Sequence, residues 1–211
     1  MSVEVKKTKK ELNKDNVATK ALEFFIKYGI ENSKVSDIAK SAGVTERSAF
    51  RYFETKNDLV LQSALLFWKK AVEKIDREVY QNMDKSMKGI DKVRFVMSSY
   101  VELFFTSNAE LIFCDEAETY LYRSGKNMLI ENRPPIAFEK SNDPLAKAIK
   151  DGMNDKTVRN DEDIPFLYLN TYDGLLGLMQ KLALSGELVD KETARTRLNL
   201  FIESMIKMYQ V

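Results

Sequence analysis

The stretch S-K-V-S-D-I-A-K-S-A-G-V-T-E-R-S-A-F-R-Y-F-E-T-K-N-D-L, residues 33–59, decides the fold. Val35, Ile38, Ala39 and Ala42 share one face of a short helix. Gly43 stops it, and Thr45 offers a side-chain oxygen to cap a second helix reaching about Phe53. That helix sorts into stripes at i, i+4 spacing. Ala49 and Phe53 form an apolar stripe, Ser48 and Tyr52 a hydroxyl stripe, and Arg47 and Arg51 a cationic one. T-K-N-D at 55–58 then fits a capping box opening a long helix.

Two short helices joined by A-G-V-T match a helix-turn-helix, whose second helix enters the major groove of DNA. The stripes suit that task. Hydroxyls reach phosphate oxygens, while guanidinium groups reach base edges or phosphates. A helix that only packed would not need them segregated.

Working outward, Val17, Ala21, Phe24, Phe25 and Tyr28 repeat with helical period before Gly29. The first ten residues carry four lysines and little to pack, so they read as a flexible arm. Two readings stay open for Lys6, Lys7, Lys9 and Lys10: a solvated tail or a phosphate-seeking arm. Behind the head, helices are expected over about 56–80, 90–106, 108–125, 144–152, 164–185 and 191–209. Asp143 with Pro144, and Asp190, mark starts, and Gly125, Gly152 and Gly186 mark ends. A loop is expected over 132–142. With no convincing strand, the fold class is all-α: a three-helix head and a six-helix rear, nine helices in total. The boundary falls between 1–56 and 57–211.

Composition narrows the chemistry. The 211 residues include no histidine and one cysteine, Cys114. Ser-His-Asp catalysis, His-ligated metals and an intrachain disulfide are thereby excluded. No cofactor or metal is expected. Asp115 and Glu118 are i, i+3 neighbours that could pair for acid–base work, yet such pairs are mostly solvated, and an enzyme is not the favoured reading. No run approaches ~18 apolar residues, so neither a membrane span nor secretion is indicated, and the cytoplasm is the default. The net charge of +1 hides an asymmetry. Residues 1–56 hold twelve Lys/Arg against eight Asp/Glu, and the remainder twenty-one against twenty-four. A basic front precedes a slightly acidic rear.

At three places the residues resemble the tetracycline-repressor (TetR) family of bacterial transcription regulators: V-x-x-x-A-x-x-F-F-x-x-x-G (17–29), I-A-x-x-A-G-V-T (38–45) and F-x-Y-F-x-x-K-x-x-L (50–59). The resemblance covers about 43 residues. It implies that Thr45 and Ser48 bind phosphate or nearby base edges at the recognition-helix start. Tyr52 falls at a phosphate-contact position often held by His or Tyr, Lys56 at a backbone-holding lysine, and Ser36 at a base-contacting position of some members. Glu46 is open between a cytosine reader and a solvated helix-start charge. Three departures stand out. Arg47 replaces a small residue, Phe50 replaces a common Tyr and keeps only apolar contact, and Lys34 replaces a capping Thr, leaving Ser33 as the candidate cap.

The resemblance further implies a homodimer on a pseudo-palindromic double-stranded operator, a small-molecule effector bound in the rear domain, and repression relieved by that effector. Gly174 and Gly177, with Leu198, Phe201 and Met205 on the last helix, are the dimer-interface candidates. Tyr100, Phe104, Phe113, Glu116, Tyr120, Phe166 and Tyr172 are the effector-pocket candidates. An aromatic pocket with a buried acid would bind a lipophilic or cationic ligand. The other reading makes these aromatics core and the acids solvated. A different class, an effector-independent adaptor whose rear binds a protein partner, is the alternative.

Overall fold

The computed structural model describes residues 8–126 and 138–211, and among these it contains nine α-helices and no strand. They are α1 (Lys9–Tyr28), α2 (Val35–Ser41), α3 (Glu46–Tyr52), α4 (Lys56–Asn82), α5 (Gly89–Thr106), α6 (Asn108–Arg123), α7 (Pro144–Asn154), α8 (Ile164–Leu184) and α9 (Lys191–Tyr209). Two compact units form. One takes Met1–Lys70 and Ile112–Asn132, the other Ala71–Leu111 and Arg133–Val211, so α4 and α6 each contribute to both.

Local signals place most helix ends. Thr45 Oγ1 accepts from Ser48 N at 3.1 Å, Asp143 from Ala146 N at 3.0 Å and Asp190 from Thr193 N at 2.8 Å. Thr55 and Asp58 form the reciprocal box, at 3.2 Å and 2.9 Å. Each such cap satisfies a backbone donor that the helix leaves open.

Three expectations change. The arm is shorter, because Thr8 and Glu11 close a second capping box and α1 starts at Lys9. Lys9 and Lys10 are therefore helical, while Lys6 and Lys7 lie outside the described residues. Ser33 does not cap α2: its hydroxyl donates back to Gly29 O at 2.8 Å, and Lys34 holds the cap position without a side-chain bond. The expected loop 132–142 lies partly outside the described residues, and Phe138–Lys140 forms a 3-10 turn.

In the first unit, Val17, Ala21, Phe25, Ile30, Ile38, Ala39, Ala49 and Phe53 form the core of the head. Asn16 donates to Ala42 O at 3.0 Å, pinning the turn to α1. Ser63 donates to Ala18 O at 3.1 Å, pinning α4 to α1. Burying each large aliphatic or aromatic chain here contributes about 1.5–3 kcal/mol.

In the second unit, α5 and α7 meet where Gly89 faces Gly152. A Cβ on Gly89 would overlap the backbone of Gly152. The start of α5 is capped from a distance: Gly89 N donates to Asp155 at 2.7 Å and Ile90 N to Thr157 Oγ1 at 3.0 Å. Arg94 joins α5 to α9 through Glu203 at 2.8 Å. Arg159 N donates to Tyr209 O at 2.8 Å, closing the end of α9.

Candidate nucleic-acid interface

The α2–α3 turn passes through Gly43 at φ +71°, a left-handed conformation that a side chain would disfavour. Burial of Ala49 and Phe53 then sets the rotation of α3. Glu46, Arg47, Phe50 and Arg51 are consequently exposed, and Ser48, Tyr52 and Lys56 half-exposed. Phe50 stands 42% exposed.

The polar groups on this face differ in how firmly they are held. Thr45 donates to Ser48 Oγ at 3.0 Å, which leaves the Ser48 hydroxyl proton free for an outside acceptor. Arg51 lies over the Tyr52 ring at 5.6 Å. Hydrogen bonds from Asn13 and then Arg51 hold the Tyr52 hydroxyl below the ordinary phenol pKa. Lys56 donates to Glu31 O at 3.2 Å, so its ammonium is drawn toward the loop after α1. Arg47 makes no ion pair or hydrogen bond among the described residues. Ser36 is half-buried in the first turn of α2.

The α6 residues of the first unit brace this head. Phe113 stacks on Phe25 with centroids 5.7 Å apart and planes 9° from parallel. Glu116 accepts from Ile30 N at 2.8 Å. Lys126 pairs with Asp58. Partial burial works to raise the Asp58 pKa, but bonds from Lys126 and Thr55 outweigh it and hold the carboxyl below its ordinary value. Phe113 and Glu116 are thus structural neighbours of α1, where the sequence suggested a ligand pocket. Tyr120, half-buried, has its phenol pKa raised by burial and then by Glu31.

Of the seven pocket candidates, Tyr100 and Tyr172 are brought together, edge to face at 5.4 Å and 86°. Phe104 packs edge-on against Phe105 instead. Phe166 is 67% exposed. The acid beside the tyrosines is Asp143, which the sequence marked only as a helix cap. Its carboxylate accepts from Tyr172 at 2.9 Å, from Tyr168, from Ser141 and from Ala146 N. Tyr172 also meets the Tyr100 hydroxyl at 3.2 Å. Burial, with the Asp143 charge beside it, pushes the phenols of Tyr100, Tyr168 and Tyr172 well above their ordinary pKa. No signal in the linear pattern tied Asp143 to Tyr168 or Tyr172, 25 and 29 positions away.

The dimer candidates also divide. Leu198 is fully buried within one chain. A Cβ on Gly174 would come within 2.8 Å of Phe201 Cζ, so this glycine serves the approach of α8 to α9 in the same chain. Gly177 is exposed with open space around it. Phe201 and Met205 are half-buried. The exposed apolar residues of this region are Phe166, Leu184, Leu188, Leu200 and Met208.

Among the described residues no cluster of acidic or cysteine side chains could hold a metal, and no helix is long and apolar enough to cross a membrane.

Among the described residues the chain is all-α, and its front carries a helix-turn-helix whose exposed face holds Arg47 and Arg51. Residues 19–62 match the model of the bacterial regulatory proteins of the tetR family. These residues belong to that family, and the chain as a whole has the fold of its transcriptional regulators. A Mesorhizobium loti protein assigned to the TetR-family transcriptional regulators is 14% identical, covers 97% of this chain and 100% of its own, and superposes with a TM-score of 0.70. Thermus thermophilus FadR, a TetR-family repressor solved with lauroyl-CoA, is 15% identical, with 92% of each chain covered and a TM-score of 0.58. The ketosteroid transcriptional regulator KstR2 of Mycobacterium tuberculosis is 14% identical, covering 94% of this chain and 95% of its own, with a TM-score of 0.56. No curated protein matches the sequence.

Proposed function

We propose that this chain is a homodimeric, ligand-responsive repressor acting in the cytoplasm without catalysis. The exposed face of α3 carries the reading: cationic Arg47 and Arg51, apolar Phe50 and a free Ser48 hydroxyl stand beside a buried Ala49–Phe53 stripe. Thr45, Ser48, Tyr52 and Lys56 hold the phosphate backbone or its margin, and Ser36, Arg47, Phe50 and Arg51 face base edges, with Glu46 at the helix start. Residues 1–56 form the reading head and 57–211 the part that dimerises and senses. Two heads bind half-sites about one helical turn apart, ~34 Å, which a monomer could not do. Gly177 and the exposed apolar residues of α8 and α9 supply the self-association surface.

The effector is lipophilic or cationic. A lauroyl-CoA complex among the similar structures supports a lipophilic ligand, and the Tyr100–Tyr172–Asp143 grouping supports a cation. Release follows if the ligand binds more tightly to a dimer whose heads no longer match the operator spacing. One observation favours a second reading, an effector-independent adaptor: the Asp143 carboxylate is already satisfied by its own neighbours.

Selection of bound sequences from a random DNA pool is the test. A pseudo-palindrome bound by two protomers, with affinity falling steeply with salt, is expected. Arg51→Ala should weaken the selected site far more than random DNA. Equal loss on both would make Arg51 a phosphate anchor, and a flat salt titration would overturn the regulator reading. Ligand-release screening on the winning site separates repressor from adaptor.

A further inference from the structure

The one apolar side chain that α3 leaves exposed is Phe50, and its neighbour one turn back, Arg47, is the cation on this face with no partner among the described residues. Arg51, by contrast, is drawn onto Tyr52. A phenyl ring cannot hydrogen-bond a phosphate, and leaving it 42% exposed forfeits burial. What a major groove offers such a ring is the 5-methyl of thymine, the apolar group on a base edge. A guanidinium without an internal partner fits the O6 and N7 acceptors of guanine in the same groove. Residues i and i+3 on a helix lie about 5–6 Å apart at Cβ, and bases on one strand rise about 3.4 Å each. The two bases must therefore lie within about two steps.

Building on the DNA-binding reading above, we propose that each half-site contains a thymine whose methyl packs on Phe50 and, within two base steps, a guanine read by Arg47. Sequence preference thus includes a methyl contact and not hydrogen bonds alone.

The experiment uses the full-length protein and the site chosen from the random pool. Each thymine is replaced singly by deoxyuridine, which removes only the methyl. One position per half-site should lose about fourfold in affinity, the factor equivalent to ~0.8 kcal/mol for one buried carbon. Phe50→Ala should lose a similar factor on the thymine site and lose nothing further on the deoxyuridine site. Phe50→Leu, which keeps an apolar tip and the helix packing, should retain sensitivity to the methyl. Arg47→Ala should erase the preference for guanine at the adjoining position. Specific binding that tolerates deoxyuridine everywhere overturns the inference and leaves the regulator reading intact. A methyl effect of unchanged size in Phe50→Ala also overturns it. Failure to select any sequence strikes the reading beneath it instead.

Discussion

On α3, Arg47, Phe50 and the Ser48 hydroxyl stand open to solvent, whereas around the start of α7 the polar groups of Ser141, Asp143, Tyr168 and Tyr172 are turned onto one another. Both regions combine aromatics with charge. In the head the apolar core lies beneath, on Ala49 and Phe53, so Arg47, Phe50 and the Ser48 hydroxyl proton carry no bond among the described residues and are left available to a partner. In the second unit the polar cluster is part of the core. Its groups must be satisfied internally, because an unpaired buried polar group costs about 1–3 kcal/mol. The difference teaches that residue type alone does not mark a binding surface; freedom from internal partners does.

The comparison is broken most severely where the second unit is tightest. Gly152→Ala should destabilise that unit by about 3 kcal/mol or prevent its folding, since a methyl would meet Val158 and the facing backbone of Gly89. Chemical denaturation followed by circular dichroism measures it. Gly177→Ala, with open space around it, is the paired control and should keep the isolated fold within about 1 kcal/mol.

A smaller effect follows from the tyrosines. Burial raises the pKa of Tyr100, Tyr168, Tyr172 and Tyr209, so the fold holds them neutral while the unfolded chain ionises near pH 10. Their contribution is complete below about pH 10 and is lost as pH rises above it toward the folded values. Alkaline unfolding should accompany phenolate absorbance from these four tyrosines. Phenolate appearing for these four at about pH 10 with the helices intact would contradict this.

The smallest effect on stability is expected in the head. Arg47→Ala should change it by no more than about 0.5 kcal/mol while weakening operator binding, because the guanidinium has no partner to lose among the described residues. A large drop in thermal stability would show that Arg47 is committed to the fold after all.

The helix-turn-helix was legible because each of its signals is local. Gly43, the Thr45 cap and the Ala49–Phe53 spacing act within one or two turns, so short-range sterics and periodicity suffice to read them. The same holds for Asp143 and Asp190 as caps. Where the reading missed, the partners were remote. Glu116 is bound to Ile30 N, 86 positions away, and the start of α5 is capped by Asp155 and Thr157, 66 and 67 positions on. Neither spacing nor composition can choose among the carboxylates and hydroxyls available at such distances.

The sequence by itself determined the helices of the described residues, most of their ends and the residue types on the exposed face of α3, since all three follow from local backbone propensity and period. Only the tertiary structure decided which of those side chains stayed free. It placed Gly174 against Phe201 in the same chain, buried Leu198, gave Phe113 and Glu116 to the head, and joined Asp143 to three hydroxyls. The physical reason is that desolvation and hydrogen-bond satisfaction depend on every element packed nearby, and the order of residues along the chain does not encode that neighbourhood locally.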